Sequence, residues 1–195
     1  MASPNIPERI QMTVSFAHLN TLGFSASHKI LLDADGAPHF VPLAGASMEI
    51  APAVYLWLAH AAGADGGDVL YVGKAGKGVA RRLGQHQGGF TNSVTGRKNA
   101  AALGDLLADK TTSVTVMART SKTVMLFGTR VSMYATEEDA LCALLGPRLN
   151  RAAFPDVQGR DKAAPNFAEM QVRGIEPVPQ SRVADLLLAA AALSR

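Results

Sequence analysis

The chain has 195 residues, 48% of them apolar and 18% charged, with a formal net charge of +3. This is enough for one domain with arms, or at most two small domains, and the balance is that of a globular protein rather than a disordered one. A single cysteine, Cys142, excludes an internal disulfide framework and a multi-cysteine zinc site, and no apolar run is long enough to span a bilayer. With no signal-peptide pattern at the start, a soluble cytoplasmic protein without a membrane partner is expected.

Taken in order, Met1 to Gln11 is polar, carries two prolines and reads as a loose arm. His28 to Leu43 reads as a hairpin turning at Asp33-Ala34-Asp35-Gly36. Ala53 to Leu58 is apolar, with β-branched and aromatic residues at its centre, and predicts a buried strand. After a glycine-rich turn, Val69 to Gly73 predicts a second strand, paired antiparallel with the first. Gly78 to Gln87 predicts a helix ended by Gly88-Gly89, and Phe90 to Lys98 reads as a loop. A helix over Asn99–Leu107 follows, with Leu103, Leu106 and Leu107 inward, then a strand at Ser113–Ala118. Val124–Phe127 and Val131–Tyr134 predict a further strand or a hairpin, with Gly128 between them. Thr136 with Glu137-Glu138-Asp139 reads as an N-cap and acidic first turn, the helix running to about Leu145 before Pro147. Asp156 to Pro179 is read as surface wrapping, and Ser181 to Leu193 as a docked terminal helix.

The charge is unevenly placed. Between Asp68 and Asp105 there is no acidic residue, while Lys74, Lys77, Arg81, Arg82, Arg97 and Lys98 all fall there. An uncompensated basic block of this kind suits a polyanion. Gly73 to Gly78 has neither of the glycine patterns of phosphate-binding loops. Arg82 and His86 share a helix face by their spacing of four. Glu138 falls near the apolar face of its helix, so it is either paired with a cation or capping, or it ligates a metal. As a hard oxygen ligand it suits Mg²⁺ or Mn²⁺. Tyr55 and Tyr71, on neighbouring strands, read either as core tyrosines or as part of a phosphodiester site with Arg82 and His86.

Five ordered elements resemble the GIY-YIG nuclease superfamily. Ala53-Val54-Tyr55 resembles its first tripeptide in degraded form, and Tyr71-Val72-Gly73 the second. Arg82 and His86 match its helix residues, and Glu138 stands twelve before the Asn150 of Pro147-Arg148-Leu149-Asn150. The resemblance spans roughly residues 51–151, with 1–50 an N-terminal arm and hairpin and 152–195 a C-terminal wrap and helix.

The resemblance implies an α+β fold, a small mixed β-sheet of about three central strands flanked by helices. It implies Tyr55 as general base or water-positioner, Tyr71 as orienting group, Arg82 on the scissile phosphate and His86 bonded to a tyrosine or phosphate. Glu138 would hold one divalent metal, Mg²⁺ or Mn²⁺, per site, with Glu137 the alternative ligand, and Asn150 would brace the site. Lys74, Lys77, Arg81, Arg97 and Lys98 would bind DNA. The expected activity is metal-dependent cleavage of double-stranded DNA by a homodimer like the stand-alone type II restriction endonucleases. A nicking or repair nuclease, or a non-catalytic DNA-binding module, is the alternative.

Overall fold

The computed structural model describes residues 13–46 and 50–150. Strand β4 (Ala53–Ala61) explains the layering. No side chain from Ala53 to Leu58 is exposed, because the strand is covered on both faces. Ala53, Tyr55 and Trp57 point into one core, and Val54, Leu56 and Leu58 into another. Helices must therefore lie on both sides. Val79, Leu83 and Phe90 of α2 (Val79–Asn92) and Leu103 of α3 (Val94–Ala108) close the first core. Leu19 of α1 (Phe16–Thr21) and Leu141 and Leu145 of α4 (Tyr134–Leu145) close the second.

Strands β1 (Thr13–Ser15), β2 (Ser25–Leu32), β3 (Pro38–Pro42), β5 (Gly66–Ala75) and β6 (Thr112–Thr120) complete the sheet around β4. It has six strands in the order β1-β5-β4-β6-β2-β3, and every pairing is antiparallel. This corrects the expectation of a mixed sheet of about three strands. The predicted hairpin is present as β2–β3 but continues the sheet by pairing β2 with β6, burying Ile30 in the first core. A turn signal identifies a hairpin and carries no information about the edge it joins. The β4–β5 pair is antiparallel, as expected, and β7 (Thr123–Leu126) with β8 (Thr129–Ser132) forms a separate hairpin.

Three helix boundaries differ from expectation. Residues 90–98 are helical on either side of an extended Ser93 rather than a loop, and α2 runs through Gly88-Gly89 to Asn92. Phe90 is buried and stacks on Phe40 at 5.7 Å, which anchors the extra turn, and Ser93 caps α3 by accepting from the Gly96 amide at 2.9 Å. The glycines serve a close crossing, since a Cβ on Gly96 would collide with the Gly89 carbonyl. At α4 the N-cap is Met133, so Thr136 lies inside the helix; β8 feeds almost directly into its first turn. Its C-terminus falls as expected, with Gly146 left-handed at φ 55° before Pro147. The segments read as arm, wrap and terminal helix (1–11, 156–179 and 181–193) lie outside the described residues. Among the described residues no helix is long and apolar enough to cross a membrane.

Candidate active site

Tyr55 and Tyr71 project from one face of the β4–β5 pair. The register sets Tyr71 opposite Trp57 and Gly73 opposite Tyr55. Tyr71 stacks on Trp57 with ring centroids 4.5 Å apart and on Tyr55 at 6.1 Å. Gly73 makes this possible, because a Cβ there would strike both tyrosine rings. The tripeptide Tyr71-Val72-Gly73 thus has a local reason: its glycine is the space that its own tyrosine and Tyr55 fill.

The Tyr55 oxygen lies 2.7 Å from Nε2 of His86. Burial, and then the charge of Arg82, lower the His86 pKa to about 4, so the imidazole is neutral near pH 7. A neutral ring with its proton on Nδ1 accepts the Tyr55 hydroxyl at Nε2. Burial, reinforced by Tyr71, raises the Tyr55 pKa well above its usual value, and burial also raises that of Tyr71.

One turn of α2 before His86, Arg82 donates from Nη1 to Gln85 Oε1 at 2.9 Å, and its Nε is buried without a hydrogen-bond partner. Burial works against its charge, but the two tyrosines outweigh this and raise its pKa. Arg81 points elsewhere and is exposed.

The two glutamates of α4 part ways. Glu138 meets Lys74 Nζ at 2.6 Å and faces the same cavity as Tyr71 and Arg82. Glu137 turns to the other side. It pairs with Arg119 at 3.2 Å and accepts the Lys122 amide at 3.1 Å. Asn150 is held by the backbone of Val72, accepting from its amide at 2.8 Å and donating to its carbonyl at 2.7 Å. The Leu149 amide donates to the Leu70 carbonyl at 2.7 Å, so the segment after α4 is pinned along β5. Asn150 also donates to Cys142 Sγ at 3.3 Å, and burial pushes that thiol up to about 12.

A cavity of about 380 Å³ collects these groups: Tyr71, Arg82, His86, Glu138 and Asn150 line it, with Gln85, Ser93 and Asn99. Arg82 and Glu138 come from helices on opposite faces of the sheet. They meet around the edge of β5, beyond the three residues that pair with β1. Tyr55 does not reach the cavity; it has no exposed surface and lies beneath His86. On one side the cavity shares Arg82 and Gln85 with a basic hollow holding Lys74, Lys77 and Arg81. On the other it shares Thr95, Asn99 and Asn150 with one holding Lys98 and Arg148. Arg97 is exposed on α3, its Nη1 donating to the Thr91 carbonyl at 3.2 Å, and lines none of these hollows. Sequence reasoning singled out neither Gln85, Ser93 nor Asn99, because single polar residues on a helix carry no spacing signal.

Among the described residues no group of three or more His, Cys, Asp and Glu is placed to hold a metal. Glu138 is a single carboxylate on the cavity wall, with Lys74 beside it about two-fifths exposed and able to swing into solvent. One carboxylate fits Mg²⁺, which keeps waters and takes substrate phosphate oxygens, better than a cation needing an all-protein cage.

The sheet, its flanking helices and the cavity at the β5 edge define an α+β protein with the fold of a phage nuclease. A mutant of bacteriophage T4 EndoII superposes with a TM-score of 0.51 at 14% identity, covering 69% of this chain and 97% of that one. The restriction endonuclease HPY188I, solved with product DNA, aligns at 15% identity with a TM-score of 0.38, covering 75% of this chain and 90% of the other. No family model and no curated protein matches the sequence.

Proposed function

We propose that the chain is a divalent-metal-dependent DNA endonuclease of GIY-YIG type, a type II restriction endonuclease acting as a homodimer on double-stranded DNA. The observation that carries this reading is the convergence of Arg82, His86, Tyr71 and Glu138 on one cavity between two basic hollows. The fold shared with EndoII supports it.

In this reading a phosphodiester runs from the Lys74–Lys77–Arg81 hollow to the Lys98–Arg148 hollow, with its scissile phosphate in the cavity. The Arg82 guanidinium binds two of its oxygens in a planar fork. Glu138, now paired with Lys74, would hold Mg²⁺ or Mn²⁺, which would supply Lewis-acid stabilisation of the leaving oxygen. Tyr71, which lines the cavity, orients the attacking water. Tyr55 touches no solvent, so its part is to hold the neutral His86 in place by donating its hydroxyl to Nε2. Asn150, bonded to both polar groups of the Val72 backbone, positions the β5 edge.

The experiment is plasmid incubation with and without Mg²⁺. Discrete metal-dependent fragments support the restriction reading, and open circles favour a nicking enzyme. A gel shift without cleavage under any divalent metal would reduce the chain to a DNA-binding module.

A further inference from the structure

Beyond the cleavage site, the β7–β8 hairpin has an apolar tip that no core explains. Met125 is 63% exposed, Leu126 49% and Phe127 106%. Leu126 pairs with Thr129, so Phe127 and Gly128 form a two-residue loop with positive φ at both positions, 50° and 78°. Such turns favour Asn-Gly. A bulky aromatic in this left-handed conformation is strained, and its full exposure shows that it gains no burial in return. A side chain held strained and fully exposed points to a use outside the folded chain.

The surroundings indicate what it meets. From Ser121 to Tyr134 there is no acidic residue, while Lys122 and Arg130 flank the hairpin. Its base lies at the sheet end that carries the basic β5–α2 loop: Thr120 is opposite Ala53, which is opposite Ala75. The Met133 amide closes the base on the Lys122 carbonyl at 2.9 Å, and α4 begins at the next residue. Tyr134 of that first turn lies against Gly76, and Glu138, one turn on, meets Lys74. A four-residue ribbon reaches about 13 Å from this base, enough to enter a DNA groove.

We propose that the hairpin is a DNA wedge, with Phe127 and Leu126 inserting between base pairs of a duplex bound along the basic β5–α2 loop while Arg130 contacts the backbone. Insertion of apolar side chains unstacks a base step and bends the duplex. This rests on the DNA reading above, though not on cleavage.

The test is permanganate oxidation of unstacked thymines in a supercoiled plasmid bound by Glu138→Gln protein, compared with the Glu138→Gln/Phe127→Asn double variant. Asn suits the turn, so thermal melting of the double variant should be equal or higher. Bound Glu138→Gln protein should create reactive thymines, and Phe127→Asn should return them to the level of free DNA. Phe127→Trp should keep them. Unchanged reactivity in the double variant overturns the wedge and leaves the nuclease reading standing. A concentration-dependent dimer that Phe127→Asn dissociates, with thymine reactivity unchanged, would make the tip a subunit contact and also overturn it. Reactive thymines lost with Phe127 in a protein that never cuts would support the wedge and sink the nuclease. No binding to DNA by any variant would end both.

Discussion

The Tyr55 oxygen and His86 Nε2 stand 2.7 Å apart beneath the cavity floor, joining a strand to a helix through residues 31 positions apart in sequence. Tyr55→Phe removes this hydrogen bond and no apolar packing. It should cost about 1 kcal/mol of stability. Cleavage should fall through kcat with KM for DNA nearly unchanged, because a wholly buried side chain touches no substrate. Chemical denaturation and single-turnover cleavage measure the two effects; a change confined to KM would place Tyr55 in the binding surface instead.

The same histidine makes stability depend on pH. Its pKa is lowered to about 4 in the folded chain, against 6.5 in the unfolded one, so the unfolded state binds more protons between those values. Stability is therefore fully present above pH 6.5 and is lost as pH falls towards 4. The shift corresponds to about 3 kcal/mol at most. Burial lowers the His28 pKa as well, which adds a loss in the same direction. Denaturant midpoints at pH 7 and pH 4.5 should differ less in His86→Gln than in the parent, with His28 supplying the remainder. Equal slopes in the two proteins would place the titrating group elsewhere.

Glu138 and Lys74 test the metal. On the proposed function, Glu138→Gln should abolish cleavage and leave DNA binding largely intact, since it removes the carboxylate charge that would hold the metal and no phosphate contact. Lys74→Met removes the competitor for that carboxylate, so Mn²⁺ should bind at lower concentration, read by Mn²⁺ relaxation as well as by activity. Wild-type cleavage by Glu138→Gln would end the assignment, because Glu137 is already committed to Arg119.

The core strands were legible because β4 is covered on both faces, and such a strand is an apolar run in any order of neighbours. Arg82, His86 and Glu138 were legible because helical spacing fixes which residues share a face, and the structure sets all three on one cavity. The glycines at 88 and 89 misled, since a glycine needed for a close helix crossing looks in sequence like one that ends a helix. The joining of β2 to β6 was hidden for a different reason. It links residues nearly ninety positions apart, and nothing local records such a pairing. Asn150 lay between these cases. Its position after Pro147 was visible, but its two bonds to the Val72 peptide depend on where the chain crosses β5.

Arg81 and Arg82 are adjacent in sequence and about 100° apart around the helix. Arg82 lines the cavity; Arg81 is exposed and lines only the basic hollow beside it. Arg82→Ala should slow single-turnover cleavage by about a hundredfold or more, the scale of losing one transition-state charge donor. Arg82→Lys should remain impaired, because an ammonium cannot reproduce the planar fork on two phosphate oxygens. Arg81→Ala should weaken binding only, and should lower the slope of log affinity against log salt by about one unit, the contribution of one displaced counterion. Cleavage of one oligonucleotide at several salt concentrations by the three variants separates these outcomes. If Arg81→Ala were the inactive protein, the phosphate would lie in the Lys74–Lys77 hollow rather than the cavity, and His86 would lose its place beside the reacting group.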